Sequence, residues 1–411
     1  MPRAEERGIC LRKKEKRDVL FLCQYFYPEN NSSATLPFDT ACALASAGLR
    51  VSALCGMPHE YTEEIGVPAR ETVSGVDIHR VRYLHPSRGS RIGRLINFFS
   101  FTLSVLFHLH ELKRHRAVIV YSNPPVLPLV AWIAERLFGT KLFFVSYDLY
   151  PEIALASNSI RPGGCIDCVM RWINRRVFRR ASAVVALSDE MRDTVLRLRR
   201  EITSDRVYVL PNWAHEAAPA PKRAEDEVLT VGYIGNLGVA QEVETLLDAV
   251  ERLKNDSRFR FLFAGHGSKL DEVRARTAEN EHVHVEGFLT GEAFDRVLGA
   301  CDCCVVSLNL GVRGFCMPSK YYSYLQAGTA ILSIMDPASD LSREVISERI
   351  GCAVAPGDTD GLCDALIAMA ENLPAVREAG ERSSALYRAR YQREKTLARY
   401  VELVRRVLEE A

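Results

Sequence analysis

The sequence predicts an α/β protein of two doubly wound domains facing each other across a cleft. Three observations lead there. Short, near-continuous apolar runs alternate with helix-length segments through the first 213 residues. A stretch without periodicity, "AHEAAPAPKRAEDE" at 214–227, then interrupts them. Beyond it the alternation starts again. Apolar strands alternating with helices describe a parallel sheet covered on both faces. At 411 residues the chain is also long enough for two cores.

The elements follow in order. A basic extension occupies 1–17. The first domain, 18–213, opens with "VLFLCQYF" as a strand, followed by a helix near 37–47 that Gly48 ends. "VSALCG", "IHRVRYL", "AVIVYSN", "KLFFVSYDL", "AVVALS" and "VYVLPN" read as further strands, most separated by helix-length segments. Ala, Pro and unpatterned charge make 214–227 the linker. The second domain, 228–390, supplies "LTVGYIGN", "RFLFAG", "VHVEGFL" and "CDCCVVSL" as strands. "GFCMPSKYYSYLQAG" at 314–328 is then a polar turn and a helix, before the strands "AILSIM" and "GCAVAP". A C-terminal helix within 391–411 is expected to cross back to the first domain. Ligands of such sheets bind at the strand C-terminal ends, which here would line the cleft.

An apolar fraction of 47% and a charged fraction of 26% are those of a soluble globular protein. The net charge of +1 conceals an asymmetry. Residues 1–215 hold 30 Lys/Arg against 21 Asp/Glu, and the remainder 23 against 31. Only the first half is therefore suited to an anionic surface. There, "LINFFSFTLSVLFHL" at 95–109 runs fifteen residues without Asp, Glu, Lys or Arg, short of the roughly 20 that span a bilayer. Arg88, Arg91 and Arg94 precede it, and Lys113, Arg114 and Arg116 follow. It reads equally as a buried helix or as one lying in a membrane interface. "RWINRRVFRRA" brings Arg171, Arg175, Arg176, Arg179 and Arg180 to the same half. Arg91, Arg94, Arg175 and Arg176 are the candidates for contact with an anionic membrane surface; no nucleic acid partner is expected. The twelve cysteines are scattered, with Cys23, Cys42, Cys55 and Cys304 in apolar runs, and the N-terminus is polar and basic, as expected of reduced thiols in a cytoplasmic protein. Cys165 and Cys168 have C-x-x-C spacing without a second Cys or His pair, so no metal is expected there.

Chemistry concentrates at the strand ends of the second domain. In "YIGNLGVAQEVETLLDAV", Gly235 and Gly238 permit close backbone approach, and the following helix N-terminus offers N–H groups to a diphosphate. "FAGHGSKL" repeats the theme with Gly265 and Gly267, and "VEGFLT" ends a third strand at Gly287 and Phe288. In 314–328, Tyr321, Tyr324, Leu325 and Gly328 keep the spacing of a core face. Lys320 and Ser323 share another side. A lysine at the positive end of a helix dipole, with no carboxylate nearby in sequence, is expected to meet a ligand phosphate, with a solvated surface lysine as the alternative reading.

Taken in order, "YFYPENNSSAT", "SNPP", "YDLYPE", "LPNW", "YIGNLGVAQEVETLL", "PSKYYSYLQAG" and "GCAVAPGDTDGL" resemble the GT-B glycosyltransferases of family 4 across residues 18 to 400. The similarity is to the bacterial surface-polysaccharide branch, which includes colanic acid and O-antigen fucosamine transferases. It implies two Rossmann-like domains and a retaining enzyme taking a sugar from a nucleotide diphosphate donor. A UDP-sugar is favoured, N-acetylated sugars included. The implied acceptor is a membrane-held, polyprenyl-linked glycan, and the implied location the inner face of the plasma membrane, peripherally. On this resemblance Gly235, Asn236, Gly238, Gln241, Gly265, Gly267, Pro318, Ser319, Lys320 and Ser323 face the donor. Phe288 would frame the base through its backbone. Asn31, Ser32 and Ser33 would meet the acceptor. Asp148 and Glu152 are the acidic candidates for sugar or acceptor, with helix capping after Pro151 as their alternative role. No enzymic nucleophile, cofactor or metal is implied, so charge stabilisation is what matters.

Two departures stand out. The wider family has two glutamates eight residues apart where this chain has Phe315 and Ser323. A neutral serine at the ribose forgoes a charged hydrogen bond of roughly 1.5–3 kcal/mol. Glu242 stands where the branch usually has glycine, and is expected to point outward. The competing expectations are a non-catalytic GT-B partner subunit and a sugar-nucleotide epimerase.

Overall fold

The computed structural model describes residues 16–59, 62, 66–86, 91–214 and 227–410. The extension through residue 15, Arg88, the side chain of Arg91 and linker residues 215–226 lie outside the described residues.

The first sheet contains β1 (Arg17–Leu22), β2 (Val51–Gly56), β3 (Arg70–Val73), β4 (Val76–Val81), β5 (His115–Tyr121), β6 (Lys141–Val145), β7 (Ala183–Ala186) and β8 (Val207–Val209). Their order is β3-β4-β2-β1-β5-β6-β7-β8, and all pairs are parallel except β3 with β4. The sequence reading missed β3, a four-residue edge strand. It joins β4 through Ser74 and Gly75, both at positive φ, the two-residue hairpin turn that matches strand twist. The second sheet contains β9 (Leu229–Asn236), β10 (Phe259–His266), β11 (Val283–Glu286), β12 (Cys303–Ser307), β13 (Ala330–Ile334) and β14 (Gly351–Val354). It runs β11-β10-β9-β12-β13-β14, parallel throughout. Each sheet is buried on both faces, which is why its strands read as unbroken apolar runs. Strand order reverses between β1 and β5 and again between β9 and β12, so each domain has a switch point where ligands bind.

The helix Arg393–Glu409 lies on the first domain. Leu397, Tyr400, Leu403 and Val404 share a core with Phe21, Val51 and Ile119. Arg393 grips Asp39 with two bonds of 2.9 and 3.0 Å, and Trp213 Nε1 donates to the same carboxylate at 2.9 Å.

The domains also touch beside the cleft. The amide of Leu149 donates to Phe315 O at 2.7 Å, and Asp148 bridges Cys316. Glu190 is ion-paired to Arg313, and its amide donates to Asp340 Oδ2 at 2.7 Å. The loop ahead of Lys320 is thereby held from both sides.

Two sequence expectations change here. The first helix runs Ser32–Ser46, with Asn31 at its N-cap and Pro37 inside it. Asn31, Ser32 and Ser33 are therefore a helix start rather than a loop. The helix Arg91–Leu106 is both buried and exposed, since Phe101 and Val105 enter the core while Ile92, Ile96, Phe99 and Leu103 face solvent. Among the described residues no helix is long and apolar enough to cross a membrane.

Candidate active site

Between the domains lies a cleft of about 1920 Å³, lined from both sides. The first domain contributes Asn31, Ser32, Ser33, Arg94 and Asp148; the second contributes Gly235, Asn236, Gln241, Phe288, Pro318, Ser319, Lys320 and Ser323. Ser32 Oγ donates to Ser319 Oγ at 3.3 Å, joining the two helix starts across the gap.

Lys320 opens the helix Lys320–Ala327, which Gly328 closes in the left-handed conformation at φ 72°. No side chain caps its first turn; Ser319 occupies the N-cap without a capping bond. Tyr321, Tyr322 and Tyr324 are fully buried. Tyr324 Oη donates to Ile234 O at 2.7 Å and accepts from Ile234 N at 2.9 Å, tying the helix to β9. Tyr322, outside the heptad-like spacing, is buried because Tyr391 from the returning segment packs on it with ring centroids 5.2 Å apart.

The Lys320 ammonium rests 3.7 Å from the centre of the Tyr233 ring and donates to Asn236 O at 3.4 Å. Gly235 leaves it room: at φ 135°, an added Cβ would come 3.3 Å from Lys320 Cε. Among the described residues no carboxylate lies within ion-pair distance of this lysine. Its side chain keeps some contact with solvent, but the ammonium is desolvated, and burial pushes its pKa down to about 7. A cation held without a counterion, at an uncapped helix N-terminus, is an anion site.

The neighbouring turn works differently from the expectation. Glu242 is 7% exposed and does not point outward. Its Oε1 accepts from Thr245 N at 3.0 Å and Thr245 Oγ1 at 2.7 Å, capping the helix Glu244–Arg252. That helix start is therefore occupied by the chain's own carboxylate, whose pKa burial raises. Gln241 likewise serves the turn, its Oε1 accepting from Gly238 N at 3.0 Å. Gly238, Gly265 and Gly267 stand behind the cleft wall. At Gly265 a Cβ would sit 1.9 Å from Gly235 O, so this glycine is a packing requirement that positions the Lys320 pocket.

Glu152 leaves the site altogether. It is buried, and Arg199 grips both its oxygens, with Nη1 to Oε1 at 2.9 Å. Arg171 adds a contact at 3.6 Å, and Arg199 Nη2 also donates to Tyr150 O at 3.0 Å. Its partner lies 47 residues on, and nothing in the local sequence discloses the pairing. Asp148 stays at the cleft, and burial raises its pKa to about 6.

Among the candidate membrane arginines, Arg175 pairs with Glu201 at 3.7 Å, and Arg176 lies flat over Trp172, 3.6 Å from the ring centre. Arg94 lines the cleft instead. Phe288 presents its ring as well as its backbone, edge-on to His266 with centroids 5.1 Å apart. Sequence reasoning missed His266, Gln326 and Arg161 as lining residues. Only Gln326 carried a signal, lying three residues beyond Ser323 on the same helix face.

Residues 38–213 match a glycosyl transferase 4-like domain, and residues 228–372 match the glycosyl transferases of group 1. The chain is 25% identical over 261 residues to the probable glycosyltransferase WbjE of Pseudomonas aeruginosa, covering 60% of this chain and 64% of that one. It is 23% identical over 261 residues to the putative colanic acid biosynthesis glycosyl transferase WcaI of Escherichia coli K12, covering 59% and 63%. The matches thus span just under two thirds of these relatives' length. In fold it is similar to sucrose-phosphate synthase of Thermosynechococcus elongatus, with TM-score 0.73 and 15% identity over 96% of this chain and all of that one. The Anabaena protein HepE, solved in complex with UDP, gives TM-score 0.65 and 14% identity over 94% and 99%. With both halves matched in order and the cleft between them, the chain belongs to the family-4 glycosyltransferases of GT-B fold.

Proposed function

We propose that this chain is a retaining transferase moving a sugar from a nucleotide diphosphate, a UDP-sugar in first place, to a membrane-held, polyprenyl-linked glycan in surface polysaccharide synthesis. The observation that carries the reading is the desolvated Lys320 ammonium without a counterion, beside Gly235 at the β9 strand end. HepE, of similar fold, was solved in complex with UDP, WbjE is described as a probable glycosyltransferase, and WcaI as a putative colanic acid biosynthesis glycosyl transferase. The bond from the sugar anomeric carbon to the β-phosphate oxygen breaks as the acceptor oxygen bonds that carbon from the same face. The acceptor proton passes to the departing phosphate, whose charge Lys320 and the helix N-terminus hold. Donor and acceptor residues keep the roles of facing these two substrates, with Glu152, Gly238, Gly265 and Gly267 reassigned to support. No metal or cofactor takes part, and the exposed apolar helix faces rest on the inner membrane surface. A panel of nucleotide sugars read by thermal shift tests the reading: UDP-sugars should raise the midpoint, and silence with every one would favour a non-catalytic partner, the reading that Ser323 supports.

Asp148, in this reading, orients the acceptor hydroxyl as a carboxylate. Its folded pKa of about 6 lies above the ordinary 3.8, so activity should rise as pH passes 6. Asp148→Asn should remove that limb from the pH profile of kcat/KM. Because the folded state binds the extra proton between these values, stability falls as pH rises through the window. The asparagine variant should therefore be the more stable at pH 7. An unaltered profile would remove Asp148 from the reaction.

A further inference from the structure

The exposed apolar face of the first domain is continuous with the cleft. Phe99 on the helix Arg91–Leu106, and Ile166 and Val169 on the helix Cys165–Arg180, are solvent-exposed and also line the cleft wall. An apolar trough therefore leads from the outer surface inward toward Asp148. Of the cations that line the cleft, Arg94 and Arg161 come from the first domain. Among the described residues neither guanidinium has a carboxylate within ion-pair distance, whereas Arg171, Arg175 and Arg180 nearby are each paired. Apolar walls and unpaired cations together match an amphiphile with one anionic end.

We infer that this trough is a binding site for a lipid phosphate, with the apolar chain between Phe99, Ile166 and Val169 and the phosphate on Arg94 and Arg161. The site deepens the acceptor reading and rests on it. It makes the enzyme select a phosphorylated lipid over a neutral one, since an alcohol of the same chain would leave both arginines unneutralised.

The test uses the full chain with saturating UDP and farnesyl phosphate below its micelle concentration, followed by calorimetry. Farnesol, inorganic phosphate and phosphatidylglycerol vesicles are the controls. Farnesyl phosphate should bind about tenfold or more tighter than farnesol, the scale of one charge-assisted hydrogen bond. Inorganic phosphate should not bind measurably. Arg94→Gln with Arg161→Gln should erase the preference while the UDP thermal shift persists. Val169→Ser should weaken both lipids equally. Equal affinity for the two lipids in the unaltered chain, or an unchanged preference in the double variant, overturns the inference. So does a double variant that loses only vesicle adsorption, which would assign the arginines to the membrane surface. The UDP shift separates the two layers: a shift without farnesyl phosphate binding sinks this inference alone, and no shift sinks the donor reading.

Discussion

Lys320→Met should lower transfer by about 10²–10³-fold, the cost of removing one preorganised charge contact from a transition state, while making the unliganded protein more stable. The two effects have one cause. In the folded chain the ammonium is desolvated and its pKa falls from 10.5 to about 7. Below pH 7 the protein carries a partly desolvated cation without a counterion. As pH rises from about 7 toward 10.5 the folded state sheds a proton that the unfolded chain keeps, and the penalty fades. Methionine fills the same volume without charge, so its melting midpoint should exceed that of the parent at pH 7. The gain should be about 2–4 °C for each kcal/mol relieved, and should shrink toward pH 10. The Tyr233 ring, 3.7 Å away, offsets part of the cation's cost and limits it. Activity assays and scanning calorimetry on the same preparation check both halves. A variant that is inactive because it has melted would not support the assignment.

Glu152→Ala should have the largest effect on stability. It leaves the Arg199 guanidinium buried, with Arg171 no longer bridged to it through the carboxylate. Breaking such a pair from one side costs about 3–5 kcal/mol, or a fall of about 10 °C in melting midpoint. Replacing both partners, as in Glu152→Leu with Arg199→Met, should recover most of that loss, because the desolvation of both charges is removed together. The diagnostic outcome is the split between folding and chemistry. A Glu152→Ala protein with an unchanged midpoint and no activity would return this carboxylate to the reaction.

What could be read from the sequence, and what could not, divides along a physical line. Apolar periodicity reports burial, so the strands of both sheets, apart from the half-exposed edge strand β3, and the core faces of Tyr321 and Tyr324 were legible. Lys320 was legible because charge at a helix N-terminus is a local rule. Direction and distant pairing were not. Glu242 and Glu152 look alike in sequence as glutamates near helix starts. One caps its own helix through Thr245 and the other is claimed by Arg199 from 47 residues away. Pro37 hid the true start of the first helix, which lies five residues upstream at Ser32. The stripe from Ile92 to Leu103 was ambiguous because its two apolar faces have different neighbours, core on one side and solvent on the other. The bridge between Asp148 and Cys316 needs two domains to meet, and no local pattern encodes it.

The central claim is that Lys320 waits without a counterion for a diphosphate. Isothermal titration of UDP at pH 8, repeated in buffers of different ionisation enthalpy, addresses it directly. With a free-state pKa of about 7 the lysine is mostly neutral at that pH, and a bound diphosphate should return its charge. The account predicts uptake of close to one proton per UDP bound, absent in Lys320→Met together with most of the affinity. UDP binding without proton uptake, and equally tight in the methionine variant, would contradict it.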